Sequence, residues 1–269
     1  MSKYRLGFIG AGNLAGSIIR GLVRTKAWAP REIIASEPNE QVREMLRNET
    51  GIDLSIENAE VTKTAQTVLI GVKPAVALPV IRDLHVDLAG KLVISLAAGV
   101  RISNMEKLAN ARFMRAMTNT PAAICQAATA LARGSRTTNE DLDLAREIFS
   151  AIGVVVEIKE EQIDAVTGLS GSGPAFVYTV IEALAAGGKE MGLDTDVALT
   201  LATQTVLGAA QLATESKMSP EELRRMVVSP GGTTAAGLAV MEKLGTAKGL
   251  IAAVEAATKR GHEMAEENL

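Results

Sequence analysis

Short apolar runs alternate with amphipathic stretches through the first 160 residues, and after Ile158 the runs stop. The runs at 4–9, 33–35, 67–72, 92–95, 112–117, 127–132 and 154–158 predict strands. The stretches at 13–26, 39–50, 76–84, 102–109 and 139–152 predict helices, the first carrying Leu14, Ile18, Leu22 and Trp28 on one side. Strands and helices in this order predict an α/β, doubly wound, largely parallel sheet, with right-handed crossovers that put helices on both faces. Beyond Ile158 the periodicity is helical throughout, over 161–168, 174–191, 195–215, 219–227, 232–243 and 246–266. Asp194 or Thr195 suits an N-cap, and Ser219-Pro220-Glu221-Glu222 places a cap, a proline at the first helical position and acids in the first turn. Gly192 and Gly245 are expected stops. The chain therefore divides near residue 160 into a sheet domain (1–160) and an all-α domain (161–269).

Composition narrows the function classes. The 269 residues are 47% hydrophobic and 22% charged, a globular balance. A net charge of −3 with no basic block argues against nucleic acid, and 3% aromatic residues offer little for stacking bases. Cys125 is the sole cysteine, and His85 and His262 lie far apart, so no metal-ligand spacing is present. Cys125 reads as a small buried hydrophobe and both histidines as surface residues. No uncharged apolar run is expected to span a membrane, and the opening Met1-Ser2-Lys3 leads straight into a strand, so a soluble cytoplasmic protein is expected. The alanine-rich second half suits closely packed helices and a dimeric body.

The candidate chemistry begins where the first strand ends. Gly10-Ala11-Gly12-Asn13-Leu14-Ala15 is a G-x-G-x-x-A dinucleotide fingerprint, set between strand and helix. Its first glycine makes the turn, its second admits a pyrophosphate and the small Ala15 allows close packing. At the end of the second strand, Glu37 can accept from a ribose and repel a 2′-phosphate, with Ser36 and Asn39 beside it and Arg43 one helical turn beyond Asn39. This chemistry leans toward NADH or dual use. Further loops fall at carboxyl ends of strands, where open sheets bind ligands: Gly71-Val72-Lys73-Pro74, Ser95 to Gly99, and Met117-Thr118-Asn119-Thr120-Pro121. The last offers a neutral hydrogen-bonding rim, suited to hydride transfer rather than to hydrolysis.

Two further segments are chemically loaded. In Asp164 to Phe176, Ser170 or Ser172 is expected to cap the following helix, and in Ser229-Pro230-Gly231-Gly232-Thr233-Thr234 hydroxyls and glycines surround a helix start, a ready anion site. With Phe8 to Asn13, Val72-Lys73-Pro74, Met117 to Pro121 and Thr167 to Ala175, this last motif resembles the pyrroline-5-carboxylate reductases over essentially the whole chain. The resemblance implies a Rossmann domain followed by a helical dimerisation domain. It implies reduction of the cyclic imine Δ1-pyrroline-5-carboxylate to L-proline, the last step of proline biosynthesis, with NADPH or NADH. It implies a homodimer, commonly built further into a decamer. Carried onto this chain, Gly10 to Ala15 hold the pyrophosphate, and Ser36, Glu37 and Asn58 lie near the adenosine ribose. Val72, Lys73, Pro74, Ala97 and Ala98 flank the nicotinamide side. Ser229, Gly232, Thr233 and Thr234 bind the substrate carboxylate and ring nitrogen, and Glu160 lines the same pocket. The partner subunit is expected to supply the 229–234 clamp to a given cofactor.

Two positions depart from the family: Glu37 stands where many members have serine or a basic residue, and Met226 where many have asparagine. A protonated imine accepts hydride with little acid–base help, so the enzyme's task is positioning and exclusion of water. Thr234 is the expected catalytic residue, hydrogen-bonded to the ring nitrogen, with Ser229, Thr233 and helix amides on the carboxylate. A β-hydroxyacid dehydrogenase shares the two-domain plan but needs a lysine on the first interdomain helix; Pro174 to Thr179 has none and Lys189 comes too late. A non-catalytic nucleotide sensor would have no need of the 229–234 turn.

Overall fold

The computed structural model describes residues 2–267. In chain order the elements are β1 (Tyr4–Ile9), α1 (Asn13–Arg24), β2 (Ile33–Ser36), α2 (Glu40–Thr50), β3 (Asp53–Ser55), α3 (Asn58–Thr64), β4 (Ala65–Ile70), α4 (Pro74–Asp83), α5 (His85–Leu88), β5 (Leu92–Ser95), α6 (Ile102–Leu108), β6 (Arg112–Met117), β7 (Ala127–Arg133), α7 (Asn139–Ser150) and β8 (Gly153–Glu157). Then come α8 (Ile163–Val166), α9 (Gly173–Glu190), α10 (Thr195–Glu215), α11 (Pro220–Met226), α12 (Thr233–Lys243) and α13 (Thr246–Glu267).

The eight strands form one sheet in the order β3-β2-β1-β4-β5-β6-β7-β8. All neighbours run parallel except β6 and β7. Strand order reverses between β1 and β4, which is where a doubly wound sheet opens a ligand crevice. Parallel strands covered on both faces must be apolar on both faces, and in β1, β2, β4 and β5 nearly every residue is buried. One face packs Leu6, Phe8 and Ile33 on Ile18 and Leu22 of α1 and on Ile148 and Phe149 of α7. The other packs Ile9, Val68 and Ile70 with Val61 of α3, Ile81 of α4 and Met105 of α6. Each such side chain contributes about 1.5–3 kcal/mol by leaving water.

Three elements were not expected. β3 is three residues long, and α3 and α5 are short helices with mostly polar surfaces. Their apolar residues are too few for periodicity to register; pairing with Ile34 to Ser36 of β2 holds β3 in place. The strand expected at 67–72 runs instead from Ala65 to Ile70, because the chain turns at Gly71, whose N–H donates to Ile9 O at 2.8 Å.

By compactness the chain forms two units. One runs to Ser172 and takes in the chain from Glu255 onward; the other is Gly173–Val254. The expected division near residue 160 differs from this because α8 belongs with the sheet: Ile163 is fully buried against Met117 and Ala132. A π-helical turn follows at Thr167–Gly171, beside Met117.

The second unit is helical. Ser219 is the expected cap of α11 and forms a capping box with Glu222 around Pro220, and Gly192 and Gly245 take positive φ as helix stops. Gly188 lies within contact of Ala198, so small residues let α9 and α10 approach closely. Within one chain, α9, α11 and α12 contain no buried residue, and α10 only Ala198 and Ala202. Contrary to expectation, α10 is long and apolar enough to cross a membrane by length and composition, with a mean hydropathy of 1.2. Its Thr and Gln residues are uncharged, and alanine and leucine carry the average.

Candidate active site

The crevice between β1 and β4 is built by two loops that press on each other. Gly10 has φ +83°, and a Cβ there would lie 2.8 Å from Val72 Cγ1 and 2.9 Å from Val72 N. Its N–H donates to Ser36 O at 2.9 Å, tying β2 to the loop. A Cβ on Gly71 would meet Ala15 Cβ at 2.8 Å, so position 15 has room for little beyond a methyl group. Gly12 is the N-cap of α1, exposed, with no side-chain cap and open space where a Cβ would stand. The first-turn amides of α1 are thus uncovered at the positive end of the helix dipole. Asn13 is exposed, Leu14 half-buried and Ala11 and Ala15 buried. This is a cradle that a pyrophosphate fits: open above Gly12, closed below Gly10.

The end of β2 continues the cradle. Ser36 is buried and its Oγ donates to Asn58 Oδ1 at 2.7 Å, so the first residue of α3 joins the site. Glu37 is half-buried; its Oε2 accepts from Ala11 N at 3.2 Å and its Oε1 from Asn39 N at 3.1 Å. Arg43 donates to the carbonyls of Glu37 and Pro38 at 2.7 and 2.8 Å. Across the crevice, Lys73 is the exposed N-cap of α4 and Pro74 its first residue, beside half-buried Val72. After β5, the Ala97 N–H donates to Ser95 Oγ at 3.3 Å, and Ala98 leads into Gly99 at φ +66°, where a Cβ would strike Met264 of α13.

In the segment Met117 to Pro121, Thr120 is exposed, but Thr118 and Asn119 are not the free hydrogen-bonding rim that the sequence suggested. Thr118 is buried with its hydroxyl 2.8 Å from that of Thr129. Asn119 is also buried; its Nδ2 donates to Ser170 O at 3.0 Å and its Oδ1 accepts from Ala128 N at 3.1 Å. Both groups brace the π-helical turn and the start of β7. Capping of α9 by Ser170 is likewise not seen: the Ser170 hydroxyl donates back to Val166 O at 3.2 Å.

A charged cluster that the sequence reading missed lies beneath these loops. Arg115 on β6, its side chain 4% exposed, donates to Glu160 Oε1 at 3.3 Å. The same oxygen accepts the first amide of α6, Ile102 N, at 2.7 Å. Asp164 Oδ2 stands 2.7 Å from Nδ1 of His262 on α13. Burial pulls the Arg115 pKa below its ordinary value, and the carboxylates of Glu160 and Asp164 oppose that shift. Apolar neighbours hide such a cluster from periodicity, and Arg115 and His262 are far in sequence from Glu160 and Asp164. The surface reading of His262 omits this pair, although its side chain is 54% exposed. Cys125 is half-buried and in left-handed conformation (φ +62°), with Sγ 3.8 Å from Gly21 O.

In the second unit, Ser229 to Thr234 forms the turn into α12. Gly231 takes φ +72° and Gly232 is the N-cap, with no side-chain cap. Gly232 N donates to Ser229 O at 3.0 Å, and a Cβ on Gly232 would fall 2.3 Å from Ser229 Oγ. The Ser229 hydroxyl therefore sits over the uncapped end of α12, with Thr233 exposed and Thr234 half-buried in its first turn. Hydroxyls and bare amides converge there, as a carboxylate requires. Met226 ends α11 and is 68% exposed. A recess of about 820 Å³ lies nearby, lined among others by Arg224, Arg225, Met241 and Lys248.

Known proteins match both halves. Residues 160–264 match the pyrroline-5-carboxylate reductase dimerisation family, and residues 5–99 match the family described as NADP oxidoreductase, coenzyme F420-dependent. Pyrroline-5-carboxylate reductase of Methanosarcina acetivorans is 42% identical over 98% of this chain and 99% of its own. The Coxiella burnetii pyrroline-5-carboxylate reductase structure, 34% identical, covers 98% of this chain and 99% of its own with a TM-score of 0.88. The Plasmodium falciparum pyrroline carboxylate reductase, solved with NADP bound, is 28% identical over 98% of this chain and 99% of its own, with a TM-score of 0.90. Near-complete coverage at this identity, joined to a glycine cradle at the sheet's switch point, leads to one conclusion: the chain belongs to the pyrroline-5-carboxylate reductase family, NAD(P)H-dependent oxidoreductases.

Proposed function

We propose that the protein reduces Δ1-pyrroline-5-carboxylate to L-proline at the expense of NADH or NADPH. The observation that carries the reading is the pair of uncapped helix N-termini, each beside glycines that keep it open: Gly12 on α1 and Gly231-Gly232 on α12. The first suits a pyrophosphate and the second a carboxylate. When bound, the reduced nicotinamide supplies the hydride. Gly10 to Ala15 hold the pyrophosphate; Ser36, Glu37 and Asn58 face the adenosine ribose; Val72, Lys73, Pro74, Ala97 and Ala98 flank the nicotinamide side.

Ser229, Gly232 and Thr233 hold the substrate carboxylate through hydroxyls and amides. Thr234 is the catalytic residue: its Oγ1 accepts a hydrogen bond from the protonated ring nitrogen and so holds the imine in its hydride-accepting form. No side chain need remove a proton, which accords with a site of hydroxyls and amides. Glu160 contributes to the substrate side by fixing the start of α6. The protein works as a homodimer, and dimers join into a decamer. It binds neither nucleic acid nor membrane and resides in the cytoplasm. The exposed apolar surface of α9 to α12 supports the dimer, and the net charge of −3 supports the absence of nucleic acid. The test is incubation of folded protein with pyrroline-5-carboxylate and each reduced nicotinamide. Proline must accumulate in step with cofactor oxidation; folded protein inactive with both cofactors contradicts the proposal.

A further inference from the structure

The carboxylate at the end of β2 is fastened in place. Glu37 Oε2 accepts from Ala11 N in the glycine loop at 3.2 Å, and Oε1 accepts from Asn39 N, at the N-cap of α2, at 3.1 Å. A side chain held by two backbone amides on two separate loops has given up the freedom to swing aside. Its charge therefore stands at a fixed place beside the phosphate cradle. The neighbouring cation is not paired with this carboxylate. Arg43 donates through one Nη to the carbonyls of Glu37 and Pro38 at 2.7 and 2.8 Å, which makes it a brace of the turn. Ser36, the other polar group at the strand end, spends its hydroxyl proton on Asn58. The group fixed at the strand end is therefore an acceptor, whereas a 2′-phosphate needs donors there.

We infer that Glu37 makes this protein select NADH over NADPH. The inference rests on the proposed nucleotide chemistry and adds the discrimination to it. A carboxylate at this position accepts hydrogen bonds from the ribose hydroxyls of NADH. Against NADPH it sets a fixed negative charge next to a phosphate of nearly two negative charges, at a half-buried position where water screens less than in bulk. The Plasmodium relative holds NADP, so the selectivity belongs to this chain's own turn and not to the fold.

The experiment is calorimetric titration of substrate-free protein with NADH and with NADPH, at low and at raised salt. Wild type is compared with Glu37→Gln and Glu37→Ser, and melting temperature reports folding. Wild type should bind NADH more tightly by roughly tenfold or more, a difference of about 1.4 kcal/mol at tenfold. Added salt should narrow that gap. Glu37→Gln keeps the shape and an acceptor but loses the charge, and Glu37→Ser loses the charge and the side-chain length. Both variants should gain affinity for NADPH, bring the ratio close to one and lose its salt dependence. Equal wild-type binding of the two cofactors overturns the inference alone, as does an unchanged ratio in both folded variants. Binding of neither cofactor by folded wild type overturns the inference and the nucleotide reading beneath it.

Discussion

The roles proposed for single residues in the 229–234 turn can be tested most sharply. In the proposed role, replacing Thr234 by alanine removes one hydrogen bond to a charged ring nitrogen, worth about 2 kcal/mol, so kcat/KM should fall roughly thirtyfold. Cofactor affinity, which the proposal assigns to the other unit, should stay where it is, and titration with the nicotinamide alone checks that half. Gly232 is a steric prediction. A methyl group there would overlap Ser229 Oγ at 2.3 Å. Gly232→Ala should therefore raise KM for the imine several-fold, and pairing it with Ser229→Gly should relieve the overlap without restoring the lost hydroxyl. The doubly substituted protein then keeps its melting temperature but not its KM, a pattern that steady-state kinetics and a thermal scan read together.

Elements explain what the sequence revealed and what it hid. Strands β1, β4 and β5 were legible because a parallel strand buried on both faces is a mostly apolar run, and the glycine loop because its spacing is a steric necessity. β3 was not, since Asp53-Leu54-Ser55 is a strand by virtue of its partner rather than its composition. Asn119 misled for a related reason. An amide at a strand's carboxyl end suggests a ligand contact, but only the fold reveals that it braces Ser170 and Ala128. The cluster of Arg115, Glu160, Asp164 and His262 joins β6, the 160–162 turn, α8 and α13, four places with no common periodicity. Removing its cation leaves two largely buried carboxylates short of compensation. Arg115→Met should cost about 3 kcal/mol of stability, read as an earlier midpoint in urea. A midpoint unchanged from wild type would mean that the cluster contributes no net stability.

At the scale of the whole molecule, one chain leaves too much apolar surface uncovered. Leu199, Leu201, Leu207 and Leu212 on α10, and Val240 and Met241 on α12, are each about half exposed. A stable monomer seldom presents so much, and the family match to a dimerisation region accounts for it. Light scattering should give at least twice the chain mass of 28.2 kDa. Leu201 and Leu212 lie on one face of α10, about three turns apart. Lysine at both should lower the assembled mass or leave the protein insoluble, whereas a wild-type mass would exclude that face from the interface. The central claim is hydride transfer onto a cyclic imine, and isotope labelling addresses it most directly. With pyrroline-5-carboxylate and reduced nicotinamide carrying deuterium on the transferring face of carbon 4, the protein should form proline labelled at ring carbon 5, one deuterium per cofactor oxidised. Cofactor oxidation that yields no labelled proline, or no oxidation at all by folded protein, would contradict it.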